Sequence, residues 1–240
     1  MNKVARVNHG GHTFILHVPN YICSYRADSF HSKEPETLSW IDGFENESVF
    51  WDVGANIGLY SIYASVSRMS KTYAFEPSVF NLEVLARNIF SNAQSDRISI
   101  IPVALNNKPG VNKFRLQNTD WGGALSSFEH AIDYTGAPLK ASFQFNTVGL
   151  TMDEVCRVFD IPPPDYLKID VDGIEHIILE KGSYVLNHCR EILIEYSGQW
   201  MQQSNQIEAS LSQHGFKKKF THNYDPKLNP AGSMNNIWVK

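Results

Sequence analysis

Asp52, Gly54, Asn56 and Gly58 stand in one short run, Asp52-Val-Gly-Ala-Asn-Ile-Gly58, between an apolar stretch and a helix-like one. Glycines in a strand-to-helix loop let the backbone come close to a ligand. The GxGxxG dinucleotide fingerprint, whose helix N-terminus receives a pyrophosphate, has a different spacing. A carboxylate two residues before the first glycine would repel phosphate. It would suit a ligand bearing an ammonium and a sulfonium. Asn56 can tolerate an awkward turn conformation and donate to a carboxylate. Glu76, in Ala74-Phe-Glu-Pro77, is placed to accept hydrogen bonds from two ribose hydroxyls. A ribose, a cationic centre and no phosphate describe S-adenosylmethionine better than NAD, FAD or ATP.

A second concentration of chemistry lies in Leu167-Lys-Ile-Asp-Val-Asp-Gly-Ile-Glu175 and the following His176. Strand alternation would put Lys168, Asp170 and Asp172 on one face, with Glu175 and His176 opening a helix. Methyl transfer to an alcohol needs an aligned nucleophile and a group or metal that takes its proton. Asp170, Asp172 and His176 are the candidate catalytic residues. Glu175 suits a helix N-terminus, where the dipole favours a carboxylate. Asp170 with Asp172 or Glu195 could hold magnesium, but no dense ligand spacing marks a metal site and none is expected. His9 and His12 flank a glycine turn without an acidic or cysteine partner.

Positioning these residues takes alternating strands and helices. Residues 3–18 alternate about Gly10-Gly11 and predict a β-hairpin. Residues 20–34 read as irregular, and 36–44 as a short helix with Leu38, Trp40 and Ile41 inward. Strands are predicted at 48–53, 71–75, 98–101, 166–170 and 191–195. Helices are predicted at 59–67, 78–92, 151–159, 175–181 and 204–214. The helix at 78–92 would bury Val79, Leu82, Leu85, Ala86 and Ile89. Thr151 and Glu154 have capping-box spacing. Residues 216–220 and 236–239 suggest a closing antiparallel pair, with Lys217-Lys-Lys219 as a solvated edge. The stretch 111–145 is less regular. Its loop 118–127 carries Trp121 beside two glycines and could close over a ligand. The pattern predicts a parallel α/β sheet covered by helices on both faces, with ligands at the carboxyl ends of its strands.

The three motifs resemble the hallmark motifs of FkbM-type methyltransferases, the third most specifically. The resemblance spans about residues 34–200. It implies a class I, S-adenosylmethionine-dependent enzyme on a Rossmann-like, seven-stranded, mostly parallel sheet, here extended by the N-terminal hairpin. Residues 1–45 would form a hairpin and lead-in segment, and 46–240 the methyltransferase domain. By the same resemblance, Asp52, Gly54, Asn56 and Gly58 surround the methionine moiety and Glu76 holds the ribose. Two departures stand out. Asp172 replaces the family's usual glutamate, and Val103-Ala-Leu105 lacks the acid that many class I enzymes set against adenine. Ala104 and its neighbours would then hold adenine through backbone and apolar contacts. The implied reaction is O-methylation of a sugar, glycolipid or polyketide-type metabolite. An NAD-dependent oxidoreductase and a non-catalytic S-adenosylmethionine-binding domain are the alternatives.

Composition agrees with a folded enzyme. The chain has 240 residues, 42% hydrophobic, with 21 basic and 25 acidic side chains. A formal charge of −4 gives no basic surplus for nucleic acid, and a small-molecule or glycan acceptor is expected instead. Self-association into a homo-oligomer is left open. Cys23, Cys156 and Cys189 form no disulfide or zinc pattern and suit a reducing compartment. With no signal-peptide h-region and no membrane-length apolar run, the sequence reads as cytoplasmic and without a transmembrane segment.

Overall fold

Gly10 and Gly11 both take positive φ, 56° and 81°, the geometry of a two-residue hairpin turn. They join β1 (Val4–His9) to β2 (His12–His17) in register from Val4↔His17 to His9↔His12. The structure, a computed structural model, describes residues 3–221 and 233–240. After the hairpin come α1 (Tyr21–Asp28) and α2 (Pro35–Asp42). The irregular segment expected at 20–34 thus contains a helix. Its signal is Asn20, whose Oδ1 accepts the Cys23 N–H at 2.9 Å as an N-cap does.

From β3 (Val49–Val53) the chain alternates through α3 (Leu59–Arg68), β4 (Lys71–Phe75), α4 (Val79–Ser91) and β5 (Ile98–Ile101). In α4 the buried positions are Asn81, Val84, Leu85, Asn88 and Ile89, while Val79 and Ala86 face solvent. The buried stripe is rotated from the predicted one because two of its members are asparagines with specific partners. Asn88 Oδ1 accepts the His17 N–H at 2.7 Å, and its amide donates to the Ile57 carbonyl at 2.8 Å. Asn92, at the end of α4, both accepts from the Ile15 N–H and donates to its carbonyl, each at 2.7 Å. These side-chain amides cover an edge of β2 that would otherwise be unpaired.

The less regular stretch is a second, four-stranded sheet, ordered β6-β9-β7-β8. It comprises β6 (Ala104–Leu105), β7 (Gly110–Leu116), β8 (Ser126–Phe128) and β9 (Phe143–Leu150). Next, α5 (Met152–Phe159) starts with the predicted box. Thr151 Oγ1 accepts the Glu154 N–H, and Glu154 Oε2 accepts the Thr151 N–H, both at 3.1 Å. The remaining elements are β10 (Tyr166–Ile169), α6 (Glu175–Leu179), α7 (Ser183–His188), β11 (Glu191–Ser197), α8 (Met201–Gln213), β12 (Lys217–Thr221) and β13 (Ser233–Val239). The connection at 222–232 lies outside the described residues.

The main sheet has seven strands in the order β12-β13-β11-β10-β3-β4-β5. The five from β11 to β5 are parallel, and β13 runs antiparallel to both its neighbours. Chain order reverses between β3 and β10, so the ligand crevice of such a sheet opens above their carboxyl ends. Because side chains alternate, the two faces build separate cores. Trp51, Val53, Leu167, Ile169, Ile192 and Ile194 pack on one face. Phe50, Tyr166 and Leu193 meet the hairpin, α2 and α3 on the other. Among the described residues no helix is long and apolar enough to cross a membrane.

Candidate active site

Lys168 lies opposite Asp52 in the β10–β3 register. The two side chains therefore share a face of the sheet, although 116 residues separate them in sequence. Lys168 is 1% exposed, and its Nζ donates to Asp170 Oδ2 at 2.7 Å. Its ammonium also faces Asp52 and Glu34 and lies 5.1 Å from the Tyr60 ring centroid. These carboxylates hold the lysine protonated against the cost of burial. In return, Lys168 keeps the Asp170 carboxyl well below the usual carboxylate range, although desolvation opposes this. Asp170 also hydrogen-bonds the carboxyl of Glu195, which lies within β11.

Asp52 is fully buried, accepts the Ser61 hydroxyl at 2.6 Å, and leaves Oδ1 without a partner. Burial pushes its carboxyl up, with Lys168 and Ser61 opposing. Glu34 precedes α2 but makes no capping bond. It accepts from Lys33 at 2.8 Å and from Thr37 at 3.2 Å, and joins the cluster around Lys168.

Above this cluster, at the carboxyl ends of β3, β4 and β10, is a cavity of about 550 Å³. Gly54, Asn56, Glu76, Ala104, Asp170 and Asp172, all predicted from the sequence, line it. Asp52, Gly58 and His176 lie outside its wall. Asp52 points beneath the floor to Ser61. Gly58 starts α3 at φ 84°, and a Cβ there would come within 2.4 Å of Leu85 Cδ1, so this glycine serves helix packing. His176 sets its half-buried ring edge-on to Trp200, 5.3 Å between centroids. Gly54 has φ 86°, and a Cβ would lie 1.9 Å from the Asp170 carbonyl oxygen. It lets the tips of β3 and β10 meet.

Glu76 is fixed by two backbone donors, Asn56 N–H to Oε2 at 2.8 Å and Ser78 N–H to Oε1 at 2.7 Å. Burial nevertheless pushes its carboxyl up to about 7, against those hydrogen bonds. Asp172 departs from the strand alternation expected of it. The strand ends at Ile169, and Asp172 takes φ 63°. Its Oδ2 accepts the N–H groups of Leu125 at 2.7 Å and Ser126 at 3.3 Å. Burial and the Asp170 charge push it up to about 6. Glu175 accepts the Gly173 N–H at 3.0 Å and the Gln203 amide at 2.7 Å, which ties down the loop between β10 and α6.

The loop carrying Trp121 closes one side of the cavity. Gly123 O accepts from Asn56 at 2.8 Å and from Asn81 at 3.1 Å, while Asn81 Oδ1 accepts the Gly122 N–H at 2.9 Å. From α1, Arg26 Nε donates to the Gly122 carbonyl at 2.9 Å, and Asn20 donates to that of Trp121 at 2.9 Å. Asn81 and Arg26 were not singled out from the sequence. Each binds a backbone group of a loop more than 40 residues away, which no local pattern announces. Among the described residues no group of three or more His, Cys, Asp or Glu is arranged to hold a metal ion.

The three acids on the cavity wall are accompanied by no Lys, Arg or His, while Phe75, Val103, Leu105, Phe114 and Phe128 form its apolar part. Residues 52–218 match the family model described as the Methyltransferase FkbM domain. Hexuronic acid methyltransferase AglP of Haloferax volcanii is 26% identical over 161 residues, which are 63% of this chain and 56% of that protein. The chain thus spans little more than half the length of that relative. An rRNA methylase from Streptococcus thermophilus superposes with TM-score 0.52 at 11% identity, over 85% of this chain and 92% of the other. A putative transferase from Pyrococcus horikoshii gives 0.51 at 13% identity, over 99% and 71%. Both share the Rossmann-like fold. With the family model matched over most of its length, the chain belongs to the FkbM methyltransferase family.

Proposed function

We propose that the protein transfers a methyl group from S-adenosylmethionine to a hydroxyl oxygen of a sugar-type acceptor. The observation that carries this reading is the charge pattern of the cavity, with three carboxylates and no cation on its wall. Such a wall disfavours the pyrophosphate of NAD or FAD and fits a nucleoside carrying positive charge. The residues present suit that donor. Glu76 has lone pairs beyond its two backbone bonds for a ribose diol. Phe75, Val103, Leu105, Phe114 and Phe128 offer an apolar slot for adenine beside Ala104. Asp170, kept ionised by Lys168, places negative potential where a cation would lie.

When bound, S-adenosylmethionine supplies an electrophilic methyl group on a sulfonium. The protein must then orient the acceptor oxygen and take its proton. Asp170 is a poor base because Lys168 holds its carboxyl low. Asp172 suits the task. Two backbone N–H groups fix it, it is largely ionised above about pH 6, and it lines both this cavity and a second one beside it. The hexuronic acid methyltransferase relative supports a sugar ring as the acceptor class and not the charge of that ring. Incubating the purified chain with methyl-labelled S-adenosylmethionine and a panel of glycans and small alcohols tests the proposal. Label on an acceptor oxygen is expected. Transfer to nitrogen, or no transfer by protein that binds the donor, would refute it.

A further inference from the structure

Beside the donor cavity is a second one of about 430 Å³, lined by Leu125, Tyr134, Asp172, Glu175, Glu195, Tyr196, Ser197 and Gln203. Asp172 is common to both walls. The roof is a built structure. Asp133 Oδ1 accepts the Thr135 N–H at 2.8 Å, closing a turn. This segment crosses so near Gly173 that a Cβ there would lie 2.6 Å from the Asp133 carbonyl oxygen. Gly136 rests on the Trp200 ring.

Gln203 shows what this cavity lacks. It is 1% exposed, and its amide nitrogen donates to the Gly173 carbonyl at 2.9 Å and to Glu175 Oε2 at 2.7 Å. Its Oε1 is buried with no partner. A buried acceptor left unsatisfied is costly and calls for a donor. The wall adds the carboxyls of Asp172, Glu175 and Glu195 and the hydroxyls of Tyr134, Tyr196 and Ser197; the Tyr196 hydroxyl already donates to Glu208 at 3.1 Å. No Lys, Arg or His lines the space. The two nearby ammonium groups are engaged, Lys33 with Glu34 at 2.8 Å and Lys168 with Asp170 at 2.7 Å.

We propose that this cavity holds the methyl acceptor as an uncharged, polyhydroxylated ring, with Gln203 and Glu195 accepting from its hydroxyls, and that it rejects an anionic sugar. The inference rests on the methyltransferase reading and narrows its acceptor class. Ligand hydroxyls would supply donors to the unpartnered Gln203 Oε1 and to the wall's carboxyls. A ligand carboxylate would be set against the carboxyls of Asp172, Glu175 and Glu195 with no Lys, Arg or His on the wall to offset its charge. Glu195 acts as a specificity-determining group beside Asp170, to which it is hydrogen-bonded.

The donor is examined first, by titrating S-adenosylhomocysteine into the full chain, so that failure of the methyltransferase reading shows on its own. The methyl pyranosides of glucose, galactose and mannose, and their matched methyl uronides, are then titrated with ligand-observed NMR, with and without S-adenosylhomocysteine. At least one neutral glycoside should bind, with its uronide weaker by about tenfold or more. Glu195→Ala should weaken the neutral glycoside roughly 2–10-fold, the worth of one hydrogen bond, with S-adenosylhomocysteine affinity unchanged. Glu195→Gln should restore it, since an amide still donates to Asp170 and still accepts a hydroxyl. Gln203→Met should also weaken the glycoside, and the Glu195 pair decides the matter if that variant does not fold. Absence of neutral-glycoside binding, uronides binding as tightly, or a Glu195→Ala protein with unaltered glycoside affinity would each overturn the proposal.

Discussion

Replacing Lys168 with methionine keeps the length and apolar stem of the side chain and removes its charge. Three acids, Asp170, Asp52 and Glu34, then lose the ammonium they share. Deleting one partner of a buried ion pair costs roughly 3–5 kcal/mol, because the other charge stays behind. The Asp170 side chain keeps 22% of its surface open, so the lower half of that range applies, about 3–4 kcal/mol. For a chain of 240 residues, each kcal/mol moves Tm by about 2–4 °C, which gives a fall of roughly 6–16 °C. The loss should depend on pH. In the parent protein the Asp170 carboxyl is held low, so its contribution is present at neutral pH and fades only in acid, as pH falls through that low value. Without Lys168 the same carboxyls are raised, and the folded state gains protons relative to the unfolded one as pH falls. The deficit of Lys168→Met is therefore largest at pH 7–8 and shrinks toward pH 5. Urea denaturation of both proteins at pH 8, 7, 6 and 5 measures this, with Lys168→Met/Asp170→Asn expected to recover part of the loss. A loss under about 1 kcal/mol at pH 7, the scale of an exposed pair, or a loss independent of pH, would show that no buried charge cluster supports the site.

Other consequences follow from the same geometry. Asp172→Asn should lower methyl-transfer kcat by about 10²–10⁴-fold with donor affinity retained, and the parent rate should rise with pH through about 6; equal rates in steady-state assays would remove Asp172 as the base. Glu76, Glu175 and Asp172 are all raised, to about 7, 7 and 6. Their burial penalty grows as pH rises between the unfolded and folded values, so the ligand-free protein should be less stable at pH 8 than at pH 6, a difference that Glu175→Gln reduces in chemical denaturation. Gly54→Ala should prevent folding or cost several kcal/mol, since its Cβ would meet a backbone oxygen at 1.9 Å; Gly11→Ala, also at positive φ but with nothing within 4 Å, should cost about 1–2 kcal/mol. Arg26→Ala should loosen the Trp121–Gly123 loop and speed donor release, read by stopped-flow displacement.

The sequence disclosed what depends on neighbours along the chain. The Gly10-Gly11 turn, the Thr151–Glu154 box and the strand-loop-helix around Gly54 are local chemistry, and each has the expected form. The long-range placements were hidden. Pairing Asp52 with Lys168 requires β3 and β10 to be neighbours, and the reversal of strand order that makes them so has no local signal. Asp172 read as the next alternate strand position, but Gly173 lets the chain pass under Asp133 and the strand ends early. The four-stranded sheet between β5 and α5 was obscured because much of β7 and β9 is solvent-facing and lacks a clean apolar alternation. Asn81, Asn88 and Asn92 read as polar helix positions, whereas they bond backbone groups of distant segments.

Isothermal titration of S-adenosylhomocysteine into the wild-type chain and into Glu76→Gln tests the central claim most directly. The wild type should bind at one site per chain, and binding should weaken as pH falls below about 7, where Glu76 takes up a proton. Glu76→Gln should lose about 10–150-fold, the worth of one charge-assisted hydrogen bond. No binding by the folded wild type, or equal binding by both proteins, would contradict the assignment of this cavity to the methyl donor.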